Sequence, residues 1–377
     1  MNPDVTPSDP PSPDTPAGQP PTSIPPASEQ PSPTRRSESA AASAVPAHEP
    51  FPACMRAARV WRDGHVLRDR ITVDEIGPLV HDPDVLVWVD LVAPTEDELT
   101  SLARRLSLPA TAVEDALGPK ERPKLARHDT HLCVTVYAVM PELSTPQHLE
   151  MTRISAWVIP SALITIRLND HFDMDAVVHR WEEDPDLLKA GSGALVHGLL
   201  DAVVDDQFEW IEALDDRMED LAGELFEQRH ASAAFAKTIF DVRRELVTLR
   251  RIVLPMREVV AGLVRDPSMA TPALRPWFDD LFDHVLRAAE WTESLRDLVG
   301  SAFETNLALN DERLNTIMKK LAGWAAIIAV PTAITGWFGQ NVPYPGFSQP
   351  LGLWLSIGLI VGCAGALYVV FKARDWL

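Results

Sequence analysis

An uncharged stretch near the C-terminus constrains this chain more than any other feature. Residues 321–371 contain no Asp, Glu, Lys, Arg or His. Within them, 321–338 and 351–371 are each close to the roughly 20 apolar residues with which an α-helix crosses a hydrocarbon core. A helical hairpin buried in a soluble core is the alternative, but a 51-residue run without these residue types argues against it. The sequence therefore predicts two membrane-spanning helices joined by a loop at 339–350.

Basic residues flank the predicted spans at their outer ends, whereas the loop between the spans is uncharged. The flanking residues are Lys319, Lys320, Lys372 and Arg374. Because cytoplasmic flanks of membrane helices are enriched in Lys and Arg, both ends of the hairpin should face the cytoplasm. We expect a multi-pass protein of the cytoplasmic (inner) membrane, with both termini and the soluble portion in the cytoplasm.

The N-terminal segment has a composition that does not favour folding. Residues 1–50 hold 14 of the 33 prolines, mixed with Ser, Thr, Ala and Asp. Such a segment cannot bury enough apolar surface to offset the entropy that is lost on ordering. We expect a disordered tail, and its composition does not indicate a role.

The net charge of -20 bears on the partners of the chain. An acidic protein repels the phosphates of nucleic acids, so we expect no nucleic-acid partner. The charge would suit a protein that attracts cations, although it serves ordinary solubility equally well. The 11 histidines and 3 cysteines are scattered, and the spacing assigns none of them to a metal site.

The segment between the N-terminal tail and the predicted membrane spans shows two kinds of sequence pattern. Residues 51–190 alternate β-branched runs with helix-like stretches, which is typical of a mixed α/β domain. Thr95 and Glu98 form a capping-box pattern that predicts the start of a helix. From residue 191 onward the apolar spacing is helical, with a kink or break expected near Pro255.

The fold class predicted is α+β: a cytoplasmic mixed α/β domain, a long helical stalk and two C-terminal transmembrane helices. A stalk that continues into the first span would be far longer than an ordinary globular helix. The predicted units are the tail 1–50, the α/β domain 51–190, acidic helical arms 191–275, the stalk 276–320, the spans 321–338 and 351–371 with the external loop 339–350 between them, and the cytoplasmic C-terminus 372–377.

The first span carries polar residues at helical spacing. Asn315 and Met318 lie one turn apart at its cytoplasmic end, and Thr332 and Thr335 lie further along at the same spacing. Pro331, directly before Thr332, can bend the span or loosen its backbone hydrogen-bond ladder. Two spans from one chain cannot enclose a pore, so a conducting assembly would be oligomeric. The alternative is a plain anchor whose threonines bond back to their own backbone, and composition leaves both open.

A motif directly after this span gives a specific resemblance. Gly339-Gln340-Asn341 resembles the Gly-Met-Asn signature that ends the first transmembrane helix of the CorA family of magnesium transporters, with Gln340 in place of Met. The order and spacing of further motifs extend the resemblance over residues 55–377. They are Trp88-Val89-Asp90-Leu91, Val113-Glu114-Asp115-Ala116-Leu117, Arg122-Pro123-Lys124-Leu125, Asp201-Ala202-Val203-Val204-Asp205-Asp206, Trp277-Phe278-Asp279-Asp280-Leu281-Phe282-Asp283-His284, Asn315-Thr316-Ile317-Met318-Lys319 and Trp376-Leu377.

The resemblance implies a homopentamer in membrane lipid that conducts divalent cations through a pore of five first spans. Mg²⁺ keeps its octahedral water shell, and Asn341 side chains with Gly339 carbonyls could hydrogen-bond the hydrated ion. Gln340 departs from the signature and leaves the preference for Mg²⁺ over Co²⁺ or Ni²⁺ open.

The resemblance also assigns roles along the pore. Met318 and Leu321 could form an apolar constriction that gates by dewetting, with Asn315 as a polar ring beside it. Thr332 and Thr335 lie between this gate and the signature. Ordinary helix packing is the alternative for Met318 and Leu321.

Regulation by intracellular Mg²⁺ is a further implication of the resemblance. By motif position, Asp115 and Asp280 match two carboxylates that share a regulatory Mg²⁺ between neighbouring CorA subunits. Carboxylates brought together across an interface repel each other, and a bound divalent cation reverses that repulsion. Mg²⁺ is thus expected as both transported and regulatory ion. Alternatively, Asp280 is a helix-start charge and Asp115 an ordinary surface residue.

Two other functions remain open at the level of the sequence. A protein of the same fold could transport Zn²⁺, which ion competition would distinguish. The hairpin could instead assemble a membrane-anchored metal sensor or scaffold without transport, which would give no flux in liposomes. Since no nucleophile, metal motif or phosphate-binding glycine loop stands out, we expect no enzymatic activity.

Overall fold

The computed structural model describes residues 53–118, 122–140, 149–227 and 233–376. The predicted tail at 1–50 lies outside the described residues. The strands are β1 (Met55–Arg62), β2 (His65–Arg68), β3 (Leu86–Val92), β4 (Lys124–Arg127), β5 (Leu132–Val139), β6 (Met151–Ile159) and β7 (Ala162–Arg167). They form one sheet in the order β2-β1-β3-β7-β6-β5-β4, in which only β3 and β7 pair in parallel.

Helices cover the sheet and continue beyond it toward the C-terminus. They are α1 (Val73–Val80), α2 (Glu96–Arg105), α3 (Ala110–Leu117), α4 (Met174–Glu183), α5 (Pro185–Leu188), α6 (Ser192–Glu227), α7 (Ala233–Val264), α8 (Arg275–Phe338) and α9 (Pro350–Ala373). The predicted α+β fold with a long stalk helix and two apolar C-terminal helices is confirmed.

Strand β3 is buried on both faces, and its alternating side chains enter two separate cores. Val87 and Val89 pack with residues of α1, α2 and α3, whereas Leu86 and Trp88 pack with residues of α4, α6, α7 and α8. Successive residues of a strand point to opposite faces. The nearly continuous apolar run of β3 is therefore what a strand covered on both sides requires.

An ion pair lies in the middle of this sheet. The Arg167 guanidinium of β7 donates to both oxygens of Asp90 on the neighbouring β3, at 3.1 and 2.6 Å. The Thr165 hydroxyl donates to the same carboxylate at 2.7 Å, and Arg167 also donates to the Phe172 carbonyl at 2.8 Å. Because Asp90 is fully buried, these partners compensate the cost of taking its charge out of water.

Local signals at the helices agree with the structure with one exception. Thr95 caps α2, with its hydroxyl accepting from the Glu98 amide and its own amide donating to the Glu98 carboxylate at 2.8 Å. The predicted capping box is confirmed. The expected break near Pro255 is wrong, since α7 runs through this residue to Val264, whereas the alternative of a kink there stays a prediction. Packing against α8 holds the helix where local propensity disfavours it.

Helices α6, α7 and α8 form a packed unit on one side of the sheet. They share an apolar cluster that includes Leu214, Leu249 and Leu295. Beyond it, α8 continues without a break to Phe338, so that 64 residues form one helix of roughly 96 Å at 1.5 Å per residue. The stalk and the first predicted span are therefore a single element.

Candidate functional site

The C-terminal part of α8 and the whole of α9 are long and apolar enough to cross a membrane. In their most apolar windows only 6% and 0% of the residues, respectively, are buried within the chain. Large apolar side chains are therefore exposed, with Met318 at 69%, Leu321 at 70% and Trp337 at 63%. Exposure of this extent is unfavourable in water, and it suits contact with lipid or with further copies of the chain.

The span in α8 has two different sides. At 3.6 residues per turn, each residue is rotated by about 100° from the one before. On this helical wheel, Met318, Leu321, Thr332 and Thr335 fall within an arc of about 100°, and all four are exposed. We call this side the open face. Asn315 lies at its edge, about 60° from Met318.

The opposite side of the same span is partly covered. Helix α9 packs against α8, and the buried or half-buried residues of the span cluster away from the open face. They are Gly323, Ala326, Ile327, Val330, Pro331, Ile334 and Phe338. The chain thus uses one side of the span for its own second helix and leaves the side with the predicted pore residues free.

Two hydroxyl groups of the open face are already hydrogen-bonded to the backbone. Thr332 donates to the Ile328 carbonyl and Thr335 donates to the Thr332 carbonyl, each at 3.0 Å. This is the local arrangement that the anchor alternative requires. It is also compatible with a polar pore, because each oxygen retains lone pairs that can accept hydrogen bonds from water.

The predicted signature lies where α8 ends. Gly339 is the C-cap residue, and its amide donates to the Thr335 carbonyl at 2.9 Å. A Cβ at this position would lie only 3.0 Å from the same carbonyl oxygen, which explains why glycine suits it. Gln340 and Asn341 follow in the turn and are both exposed. The helix end thus presents carbonyl and amide oxygens beyond the last turn.

An aromatic cluster holds the loop against this helix end. The Tyr344 ring packs edge-on against Phe338 at a centroid distance of 5.0 Å and against Phe347 at 5.3 Å. Its hydroxyl donates to the Phe338 carbonyl at 3.2 Å. The loop is therefore fixed by its own residues rather than by charge pairing.

The two predicted regulatory carboxylates occupy different surroundings within one chain. Asp115 in α3 is half-buried and lies 2.8 Å from the Lys124 ammonium. Asp280 in α8 is largely exposed and lies 3.7 Å from His284 Nε2. Each carboxylate therefore has a partner in its own chain, and either would exchange that partner on binding an ion between subunits.

A further acidic group lies beside Asp280, and the sequence did not predict that its members come together. Donor atoms of Asp201, Asp205 and His284 lie within 4.8 Å of one another. Arg180 contacts both carboxylates, at 2.6 and 2.9 Å, so one positive charge offsets part of the negative charge of the group. The acidic run of α6 contains these positions, but only the tertiary fold brings His284 next to them.

The neighbouring Asp206 is a further acidic residue of α6. Burial, together with the nearby charges of Glu209 and Asp205, raises the pKa of its carboxyl group from 3.8 to about 7. The carboxyl group lines a cavity with Arg180 and Asp173. Asp206 can therefore change its charge near neutral pH.

The turn between β4 and β5 contains another group that the sequence analysis did not assign. Donor atoms of His128, His131 and Cys133 lie within 4.8 Å of one another. The signal that could have found it is the close spacing His-x-x-His-x-Cys across a predicted strand start.

Comparison with known proteins agrees with this architecture. Residues 83–373 match the family described as CorA-like Mg²⁺ transporter protein. The cobalt/magnesium transport protein CorA of Thermotoga maritima is 26% identical over 306 residues, which cover 78% of this chain and 86% of that protein. The zinc transport protein ZntB of Klebsiella pneumoniae is 25% identical over 308 residues, covering 78% of this chain and 89% of that protein.

Solved structures give the same fold. The complete structure of the CorA magnesium transporter from Methanocaldococcus jannaschii superposes with a TM-score of 0.67 at 23% identity, covering 85% of this chain and 98% of that chain. The family match over residues 83–373 gives the class of protein, a membrane transporter of divalent cations. With more than three quarters of its length matched, the chain belongs to the CorA family.

Proposed function

We propose that this chain transports divalent cations, Mg²⁺ foremost, across the cytoplasmic membrane as a homopentamer whose pore is lined by the open face of α8. The observation that carries the proposal is the division of the span into two sides. Its covered side packs on α9, whereas Met318, Leu321, Thr332 and Thr335 are exposed together. Five open faces turned toward a common axis would bury these residues in an assembly.

The chemistry of the open face suits an ion that keeps its water. Mg²⁺ dehydrates reluctantly, so a selective ring should accept hydrogen bonds from its waters rather than replace them. The Asn341 amide and the carbonyl groups at the end of α8, including that of the C-cap residue Gly339, offer neutral oxygens. Neutral acceptors bind a hydrated cation weakly enough to release it, as conduction requires.

The cytoplasmic end of the open face suits a gate. Met318 and Leu321 lie about 60° apart on the helical wheel, and their side chains are among the most exposed apolar groups of the described chain. Rings of such side chains can exclude water from a narrow pore and so stop hydrated ions. Asn315, one turn earlier, would place amide groups next to this constriction.

Regulation fits the same arrangement. Asp115 and Asp280 would share an intracellular Mg²⁺ between neighbouring subunits. On binding the ion, Asp115 would give up its contact with Lys124. Asp280 would likewise give up its contact with His284. Loss of the ion would restore repulsion between the subunits and raise the population of open states. The surrounding acidic residues of α6 support accumulation of cations there.

Replacement of Asn341 tests the selectivity ring. Asn341→Ala should abolish Mg²⁺ uptake into liposomes, or reduce it by about tenfold or more, because the amide oxygens that receive the hydrated ion are lost. The matched control is Gln349→Ala, an exposed amide in the same loop, which should retain wild-type uptake.

The oligomeric state of both variants is measured by light scattering in detergent. Wild-type uptake by an assembled Asn341→Ala variant would remove Asn341 from the ion path. Absence of uptake by the wild-type protein would leave a sensor or scaffold as the function. Competition with Co²⁺, Ni²⁺ and Zn²⁺ in the same assay distinguishes magnesium from zinc transport.

The proposed topology places both termini in the cytoplasm and the loop 339–350 outside. A cysteine introduced at the exposed Ser348 in a Cys363→Ser background should react with a membrane-impermeant maleimide in intact cells, because the loop is reached without crossing the membrane. Labelling that requires permeabilised cells would reverse the orientation. A cysteine at the exposed Glu312 on the other side of the span serves as the opposite control.

A further inference from the structure

Two histidines and a cysteine meet at the turn that joins β4 to β5. The His128 amide donates to the His131 carbonyl at 3.0 Å and closes the turn. The two imidazole rings stack with centroids 4.6 Å apart and planes inclined by 9°. One ring nitrogen of each histidine and the Cys133 sulfur all lie within 4.8 Å of one another. We call these three residues the His-Cys cluster.

Burial makes this cluster unusual. His131 is only 4% exposed and Cys133 only 3%. Among the described residues, the buried Nε2 atoms of both His128 and His131 have no hydrogen-bond partner. Nδ1 of His131 lies 3.0 Å from the Thr130 hydroxyl, so the ring is engaged at one nitrogen and leaves the other for a ligand. A buried polar atom without a partner costs about 1–3 kcal/mol, which a bound ion would offset.

A carboxylate lies beside the cluster. Asp115 Oδ2 is 3.8 Å from His128 Nε2, while its other oxygen lies 2.8 Å from the Lys124 ammonium. The carboxylate is thus close enough to become a fourth ligand after a small side-chain rotation, with Lys124 still available to balance its charge.

We propose that the His-Cys cluster is a binding site for a borderline-soft divalent ion of the Zn²⁺ or Co²⁺ type, with His128, His131 and Cys133 as protein ligands and Asp115 available as the fourth. Imidazole and thiolate are the donors that such ions prefer, whereas Mg²⁺ prefers oxygen. The site lies in the α/β domain and is separate from the open face of α8.

The geometry requires only local adjustment. Metal–ligand bonds of 2.0–2.3 Å at tetrahedral angles place neighbouring donor atoms about 3.4 Å apart, so donor atoms that lie within 4.8 Å of one another must approach by at most about 1.4 Å. Because the lone pairs of stacked rings run parallel, at least one imidazole must rotate out of the stack. Burial raises the pKa of the Cys133 thiol to about 12, and an ion would have to displace that proton on binding.

Cobalt spectroscopy on the full-length protein in detergent tests the site. Titration of the reduced protein with Co²⁺ should produce a thiolate-to-cobalt charge-transfer band in the near ultraviolet. Addition of Zn²⁺ should abolish the band, and a large excess of Mg²⁺ should not. Cys133→Ser should lack it, whereas Cys54→Ser and Cys363→Ser should retain it. Absence of the band in the wild type, or its persistence in Cys133→Ser, would overturn the proposal.

A second variant covers the case in which Cys133→Ser does not fold. His128 is only half-buried, and His128→Gln should weaken Co²⁺ binding by more than about tenfold. The unaffected control is His179→Gln, at an exposed position of helix α4. Unchanged affinity in His128→Gln would also refute the site. Neither readout involves ion flux, so a failure of this proposal is distinguishable from a failure of the transport proposal.

Discussion

The α/β domain and the membrane hairpin differ in whether their side chains find partners within the same chain. In the domain, a fully buried carboxylate finds all of its partners inside one chain, as Asp90 does with Arg167 and Thr165. In the hairpin, large apolar side chains such as Leu321 and Trp337 are left exposed by the chain that carries them. The domain thus satisfies its buried charge within one copy, whereas the hairpin leaves apolar surface that suits contact with lipid or with further copies.

This difference indicates where a substitution will act. A change inside the domain should alter the free energy of unfolding, because the partners are already in place. A change on the open face of α8 should leave the folded chain intact and alter conduction, because the partners come from other copies. Asn341→Ala, described above, changes the turn that follows α8 rather than the open face itself, and it should likewise alter conduction without unfolding the chain. The domain offers a contrasting example.

Loss of the buried ion pair is expected to have the largest effect on the fold. Asp90→Ala leaves the Arg167 guanidinium buried without its counter-charge, and this should cost about 3–5 kcal/mol of stability. The apparent unfolding temperature in detergent, followed by circular dichroism, should fall by on the order of 10 °C. The control is Asp170→Ala, which removes an exposed ion pair with Arg56 at 3.4 Å and should cost less than about 1 kcal/mol.

A similar unfolding temperature for Asp90→Ala and Asp170→Ala would contradict this difference between the domain and the hairpin. It would mean that the domain, like the hairpin, draws its stability from contacts between copies.

Substitution of the two proposed regulatory carboxylates should have an intermediate effect. Asp115→Ala removes one proposed ligand and should shift inhibition by intracellular Mg²⁺ to concentrations about tenfold higher, equivalent to about 1.4 kcal/mol. Asp280→Lys supplies a fixed positive charge at the other ligand and should make closure less dependent on Mg²⁺. The measurement is flux as a function of Mg²⁺ on the cytoplasmic side.

The matched control for the second variant is Asp279→Lys, since Asp279 is adjacent in α8 and pairs with Arg275 at 3.1 Å in its own chain. Inhibition curves that superimpose for wild type, Asp115→Ala and Asp280→Lys would leave these carboxylates as ordinary charges of a self-contained domain.

A smaller, pH-dependent effect is expected at Asp206. Its carboxyl group has an ordinary pKa of 3.8 in the unfolded chain and about 7 in the folded one. The folded state therefore binds more protons between these values, and wild-type stability falls as the pH rises from about 4 to about 7. Asp206→Asn removes this loss, so it should stabilise the protein more at about pH 8 than at about pH 5.

Apparent unfolding temperatures in chelated buffer measure this difference. Asp216→Asn, at an exposed position of the same helix, should shift the temperature equally at both pH values. An equal shift for Asp206→Asn as well would show that its carboxyl is solvated in the assembled protein.

Strong periodic or compositional signals made most of the fold predictable. The uncharged run at 321–371, the β-branched strands and the Thr95 capping box are local patterns, and each corresponds to an observed element. Pro255 shows the limit of such reasoning. Proline locally disfavours a continuous helix, but the packing of α7 against α8, which a local pattern does not reveal, outweighs that preference.

The candidate sites were predictable only in part. Spacing along one helix places Met318, Leu321, Thr332 and Thr335 on one face, and this holds because helical geometry is local. Contacts between distant segments carry no such signal. The contact of Arg180 in α4 with the acidic residues of α6 depends on how these helices pack. The stacking of His128 on His131 is local to one turn, and the close spacing of these residues could have indicated it.

The unbroken course of α8 has a mechanical consequence. One end of the helix is anchored in the domain core through Phe278 and Leu281, and the other end carries Gly339 as its cap. A rod of roughly 96 Å acts as a lever, so a tilt of about 5° at the anchored end displaces the far end by about 8 Å. Because no loop interrupts the rod before its cap, a movement of the domain can reach the membrane end of α8 as a tilt of one helix. The ion occupancy proposed for Asp115 and Asp280 would act in this way rather than through a series of local rearrangements.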